Sequence, residues 1–365
     1  MIRRNARKLS RADSWVALLC VLFALIIVFS LLYPPLNWPD EIYKISTLHS
    51  SDNLYLRTLN WLQGTDCGFS YTSLPSGIFG TNKFQYQILS GIDCYRELKF
   101  KNAIMIFAVI AICLAITRKD KWQIFILSLM WPSSLFFLTS VNNQVVFHVI
   151  SIALGVYALS YKKLFLPIIL SLFLIFVDRS FITTLIFFSL VQGFRVNVKV
   201  TAALLFAFFV FSQATGGLLE EFYGAIVGVE GSTLSSIQDS NEVYRDSLVI
   251  SFGILGVSFV YLGGTAAVFG IIIDYIFVYT YIMRNFLNLG EKKEIYNYFF
   301  SFIITFILVI QFVPSIQSFR YYVFLMPILL NYLLPGDHRK YYIYYCMIMS
   351  FAYILIGYLF QGATI

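Results

Sequence analysis

Four short polar stretches interrupt an otherwise apolar chain, and their residue types could move a proton, hold hydroxyls and grip phosphate. In YPPLNWPDEIYKI, Asp40 and Glu41 stand side by side, with Tyr43 two residues on. Adjacent carboxylates can take a proton from an attacking hydroxyl, ligate a metal or accept a bond from a sugar hydroxyl; they also suit the first turn of a helix. Asn142, Asn143 and Gln144 form a run of side-chain amides. Amides both donate and accept, as sugar hydroxyls require, and they equally suit a plain polar hairpin. Asp178, Arg179 and Ser180 break the apolar run at 164–193. A carboxylate and a guanidinium in such a run mark function, unless they merely cap two helix ends. Gln311, Ser315, Gln317 and Arg320 make the fourth cluster. Arginine stays charged and grips phosphate with two parallel bonds, although an arginine here can also snorkel to a membrane surface.

The elements that must position these clusters are membrane helices. Of the 365 residues, 59% are hydrophobic and only 12% charged, roughly half the charge of a soluble domain. The apolar blocks recur from end to end. The fold class expected is therefore all-α, a single integral membrane domain over 1–365 with about eleven spans, where a bilayer core takes about 20 helical residues to cross. They fall near 14–33, 102–117, 122–141, 145–161, 164–177, 180–194, 198–214, 264–284, 295–313, 321–335 and 341–359. Pro132 should kink the third. The basic N-terminus precedes a long apolar run with no small-residue cleavage site, so it reads as a first span and not a removed signal. Lysine and arginine concentrate in alternate connections, at 3–11, 118–121, 162–163, 195–199, 284–293 and 339–340. These take the cytoplasmic side, with the N-terminus inside. The net charge of +7 then reflects topology; no basic patch interleaved with aromatics points to nucleic acid. The stretch 248–284 is ambiguous: one crossing preceded by an interfacial or re-entrant helix, or two crossings.

This orientation places all four polar clusters on the outside, together with two large loops, 34–101 and 215–263. The first loop holds His49, Cys67 and Cys94, and the two thiols can form a disulfide on an oxidising face. The second is acidic and glycine-containing, either a mobile lid or a connector. His148 and Asp274 lie deep in spans. The three histidines fall in separate compartments, so no metal spacing exists. No phosphate-binding glycine loop, CxxC pair or serine-hydrolase elbow is present, and no cofactor is expected.

The order of these clusters resembles the EpsG-like branch of the Wzy-type bacterial polysaccharide polymerases. A D-x-x-Y-like element after the first span is matched by Asp40 to Tyr43. An R-Q-type element opening an apolar helix is matched by Asn143-Gln144, with asparagine in place of arginine. An H-x-S-like element is matched by Asp178-Arg179-Ser180, with aspartate in place of histidine, and an arginine opening a late span by Arg320. The resemblance implies an inner-membrane enzyme that joins undecaprenyl-pyrophosphate-linked repeat units of O-antigen, capsule or exopolysaccharide at the outer face. It implies Arg179 and Arg320 on the pyrophosphate, Asp40 or Glu41 as base, Asp178 as a further catalytic residue, and Asn143, Gln144, Gln317, Ser180 and Tyr43 on substrate. The bilayer, a chain-length regulator and a flippase are the partners implied. The Pro-Asp-Glu after the first span is also similar to GT-C glycosyltransferases, which add one sugar from a polyprenyl phosphate. A lipid-linked sugar flippase is the third reading, and the gathering of polar clusters on one face argues against it.

Overall fold

The computed structural model describes residues 2–32, 48–51, 53–64, 74–75, 84–85, 92–139, 141, 145–178, 180–214, 295–298, 300–302, 304–305, 326–332 and 339–361. Among these the protein is all-α but for one two-residue antiparallel strand pair, Leu74–Pro75 with Phe84–Gln85. The helices are α1 (Ile2–Leu32), α2 (Leu54–Gln63), α3 (Ile92–Ile116), α4 (Trp122–Leu129), α5 (Pro132–Thr139), α6 (Val145–Tyr161), α7 (Phe165–Leu174), α8 (Phe181–Val196), α9 (Val198–Ala214), α10 (Met326–Tyr332) and α11 (Arg339–Gln361). Residues 295–298, 300–302 and 304–305 are also helical. The region 215–294, with its lid, Asp274 and the ambiguous stretch, lies outside the described residues.

Helix α6 is the hub. It packs against α3, α4, α5, α7, α8 and α10, and most of it is buried, from Val145 through Leu159. Being apolar on every side, it has no solvent face to present and belongs in the centre. Helix α1 instead buries one stripe, Leu18, Leu22, Leu25, Ile26 and Phe29, at the three- and four-residue spacing of a single helical face. Its other faces expose Val16, Ile27, Leu31 and Leu32. Helix α3 divides the same way, with Ile106 and Ile110 inside and Ile104, Ile112 and Ile116 outside.

Helices α1 and α3 are long and apolar enough to cross a membrane, and only a minority of each is buried against the rest of the protein. The outward apolar surface continues on α7 and α9, where Phe173 and Leu204 are exposed, and Phe176, just past α7, is 89% exposed. Exposed apolar surface this extensive marks contact with lipid or with another protein.

The expected span at 122–141 is broken between α4 and α5 at Met130 and Trp131. Pro132 opens α5 at the position where its missing N–H does least harm. The break frees backbone carbonyls, and the hydroxyl of Tyr342 donates to Leu127 O at 3.0 Å. Trp131 stacks beside Tyr342 and Tyr345 of α11, so α11 closes over the kink.

Helix α3 begins at Ile92, well before the expected span at 102. Its polar first turns hold because Asp93 sits in the first turn, where the helix dipole favours an acid. Lys101 pairs with Glu97 at 2.5 Å, and Tyr95, Leu98, Lys99 and Asn102 are buried. Within the long loop at 34–101, α2 is capped at both ends. Asn53 Oδ1 accepts from the N–H groups of Tyr55 and Leu56, and Gly64 takes a left-handed φ of 72.

The run 164–193 is a helical hairpin. Helix α7 spans 10 residues and α8 16, or about 15 and 24 Å at 1.5 Å per residue. The connection from α6 into this hairpin has a cost: Lys162 adopts φ 54, a left-handed backbone that disfavours side chains by about 1 kcal/mol.

The bundle has two chemically distinct ends. At one, the Trp15 ring meets Trp122 at 4.8 Å, and the Arg118 guanidinium lies over Tyr161. There Lys121 donates to Asn331 at 3.0 Å and Arg339 to Gln123 at 2.6 Å. Arg195 donates to Lys162 O at 2.8 Å. The basic connections at 118–121, 162–163, 195–199 and 339–340 thus gather at this end. The other end carries α2, the starts of α3 and α6, the end of α5 and the α7–α8 turn.

Candidate active site

The end opposite the basic connections holds a cavity of about 200 Å³. Asn53, Tyr55 and Thr58 of the α2 segment line it, with Met105 of α3, Val146 of α6 and Asp178 of the α7–α8 turn. Several separate elements therefore converge on Asp178, whose side chain is buried at 9% exposure. Its Oδ1 accepts the Ser180 N–H at 2.8 Å, and its carbonyl accepts the Phe181 N–H at 3.0 Å. The side chain shapes the turn that starts α8 and at the same time faces the cavity. Ser180 lies at the N-cap of α8, where its carbonyl accepts the Thr183 hydroxyl at 2.7 Å.

The hydroxyl of Tyr55 donates to Asn102 Oδ1 at 2.7 Å. Burial pushes its phenol above the usual range, so it remains a neutral donor. The sign follows: this contribution is complete below the unfolded tyrosine value of about 10 and is lost as pH rises past it. Removing the hydroxyl in Tyr55→Phe should destabilise by about 1 kcal/mol, read as a lower midpoint of thermal unfolding in detergent. An unchanged midpoint would mean the bond does not hold α2 to α3.

Lys99 lies one helical turn before Asn102, and Asn102 one turn before Met105, so the three share a face of α3. At 1% exposure, Lys99 donates from Nζ to Thr139 O, at the last residue of α5. Cations and backbone carbonyls at a helix C-terminus attract each other. The bond ties α3 to the end of α5, which directly precedes the amide run.

Of the catalytic and substrate-binding residues expected from the sequence, Asp178 and Ser180 are in the described set, and both belong to this end. Asp40, Glu41, Tyr43, Asn143, Gln144, Arg179, Gln317 and Arg320 lie outside the described residues. Val146, two positions beyond Gln144, lines the same cavity as Asp178. Cys94 is disulfide-bonded and accepts the Gln63 side-chain N–H at 3.3 Å, whereas Cys20, Cys113 and Cys346 form no disulfide. Cys67 lies outside the described residues. Among the described residues no group of histidines, cysteines and carboxylates forms a metal cage.

Sequence reasoning missed Tyr55, Lys99 and Asn102. One signal was available: Asn53 and Gly64 bracket an apolar-periodic segment in the manner of helix caps, which places Tyr55 on a helix. Nothing local pairs it with Asn102. Scanned against family models, curated proteins and solved structures, the chain matches none.

Proposed function

We propose that the protein is a multi-pass membrane glycosyltransferase that joins polyprenyl-pyrophosphate-linked oligosaccharide repeat units at the outer face of the bacterial inner membrane. The observation that carries this reading is the Asp178 cavity at the end of the bundle opposite the basic connections. Basic connections favour the cytoplasmic side, so the cavity faces outward, where lipid-linked repeat units are polymerised. The disulfide at Cys94 supports the same orientation, since disulfides persist on oxidising faces.

The depth of the cavity also fits. Helices of 10 and 16 residues stop short of a hydrocarbon core about 30 Å thick. The Asp178 turn is therefore recessed below the outer surface, within reach of a pyrophosphate anchored by its polyprenyl chain. Asp178 acts on the acceptor hydroxyl as an acid–base group or positions it. Arg179, the next residue, and Arg320 bind pyrophosphate; Asp40 or Glu41 is the base; Asn143, Gln144, Gln317, Ser180 and Tyr43 hold the sugars. The new bond is glycosidic, the acceptor hydroxyl gives up its proton, and the lipid pyrophosphate leaves. The bond broken joins the donor's anomeric carbon to the pyrophosphate oxygen, and departure of that activated leaving group supplies the driving force.

The test is the envelope polysaccharide of a deletion strain, resolved by length on a gel. The polymerase reading expects a lipid core bearing one repeat unit and no longer bands. A full ladder shifted by one sugar would replace it with a GT-C enzyme. Lipid-linked units accumulating on the cytoplasmic face, with no capped core, would replace it with a flippase.

A further inference from the structure

The basic end of the bundle contains a second pocket. Lys162, Arg195, Asn297 and Tyr298 line it, over an apolar floor that includes Leu159 and Val191. Lys162 is the one non-glycine residue with positive φ among the described residues. Its N–H donates to Ala158 O at 2.9 Å, closing α6 with a left-handed cap where glycine is the usual residue. Backbone strain of this kind persists where the surrounding structure holds it in place. The Lys162 carbonyl in turn accepts Arg195 Nη1 at 2.8 Å. The Arg195 guanidinium is thus held at the pocket by the Lys162 backbone, and the exposed Lys162 side chain starts from the same rim.

The surroundings are those of a lipid, not of a soluble anion. Phe165, three residues after Lys162, is 75% exposed. Phe194, adjacent to Arg195, packs edge-on against the exposed Phe300 at 5.3 Å. Apolar outer surface therefore begins at the positions next to the two cations. Lys163 and Lys199, both exposed, add positive charge at the same end. Basic pockets between membrane helices on the cytoplasmic side match anionic headgroups.

We propose that the rim of this pocket, whose interior of about 20 Å³ holds about one water, binds the phosphate of an anionic phospholipid at the surface, with Lys162 and Arg195 on the phosphate and the acyl chains along Phe165 and Phe300. The proposal rests on the membrane reading of the helices and not on the polymerase chemistry, so failure of the polysaccharide assay leaves it standing. The test uses the full-length protein in neutral detergent, with phosphatidylglycerol, phosphatidylcholine or inorganic phosphate added. Thermal unfolding and native mass spectrometry are the readouts. Phosphatidylglycerol should raise the unfolding midpoint and remain bound, and phosphatidylcholine and inorganic phosphate should do neither. Lys162→Gly should unfold at a higher temperature than the wild type without lipid, because the left-handed backbone suits glycine, yet bind phosphatidylglycerol about fivefold more weakly. Arg195→Gln should show the same weakening, and Lys101→Gln, at the opposite end, should bind like the wild type. Binding of phosphatidylglycerol by both the Lys162 and the Arg195 variant as tightly as by the wild type would overturn the site. An equal response to phosphatidylcholine would reduce it to general apolar coating, and a response to inorganic phosphate alone would overturn the lipid assignment.

Discussion

Replacing Asp178 by asparagine is expected to cut repeat-unit polymerisation by about 100- to 10,000-fold while the protein accumulates and unfolds as the wild type does. The substitution separates two things that Asp178 does. Its Oδ1 holds the Ser180 N–H, and an asparagine oxygen can hold the same N–H. The turn and the start of α8 therefore survive. What asparagine lacks is the capacity to take up a proton or to carry negative charge into the cavity. Asp178→Ala removes both functions and should lower the unfolding midpoint as well as activity. If Asp178→Asn polymerises normally, the carboxylate is a helix cap that happens to line a cavity, and the catalytic group lies elsewhere.

The second large effect is expected at Lys99. Lys99→Met keeps the unbranched stem and deletes the terminal nitrogen that donates to Thr139 O. Losing a buried bond of this type should cost about 2 kcal/mol. Activity should fall with it, because the end of α5 leads directly into Asn143 and Gln144. Lys101 provides the contrast two residues away. It is partly exposed and pairs with the exposed Glu97, so Lys101→Met should change stability by less than about 1 kcal/mol. Unfolding midpoints of the two variants in the same detergent decide the matter. Equal midpoints would mean the Lys99 bond is no stronger than a surface pair.

The contrast between these lysines also shows what sequence can and cannot display. Apolar periodicity and length locate α6 and α9 at the same bounds that the structure has, 145–161 and 198–214. Pro132 announces the break between α4 and α5. The early start of α3 is hidden because Asp93, Arg96, Glu97, Lys99 and Lys101 read together as solvated loop. The helix buries Lys99 and leaves Lys101 partly exposed, a choice made by a neighbouring helix and not by local composition. The site follows the same logic. Asp178 is legible because a carboxylate in an apolar run is costly and so conspicuous. The bond from Tyr55 to Asn102 joins residues 47 apart, and no local pattern announces such a pairing. The meeting of four basic connections, 118–121, 162–163, 195–199 and 339–340, at one end is legible from the alternation of lysine and arginine along the chain.

The most direct measurement uses the purified full-length protein in proteoliposomes with a polyprenyl-pyrophosphate-linked repeat unit as the only substrate. The product lengths and the released polyprenyl pyrophosphate are followed together for the wild type and for Asp178→Asn. The account predicts lengthening chains, with one pyrophosphate released for each bond formed, and loss of both in the variant. If the wild-type protein consumes no lipid-linked unit, or if the variant lengthens chains at the wild-type rate, the account of the Asp178 cavity is contradicted.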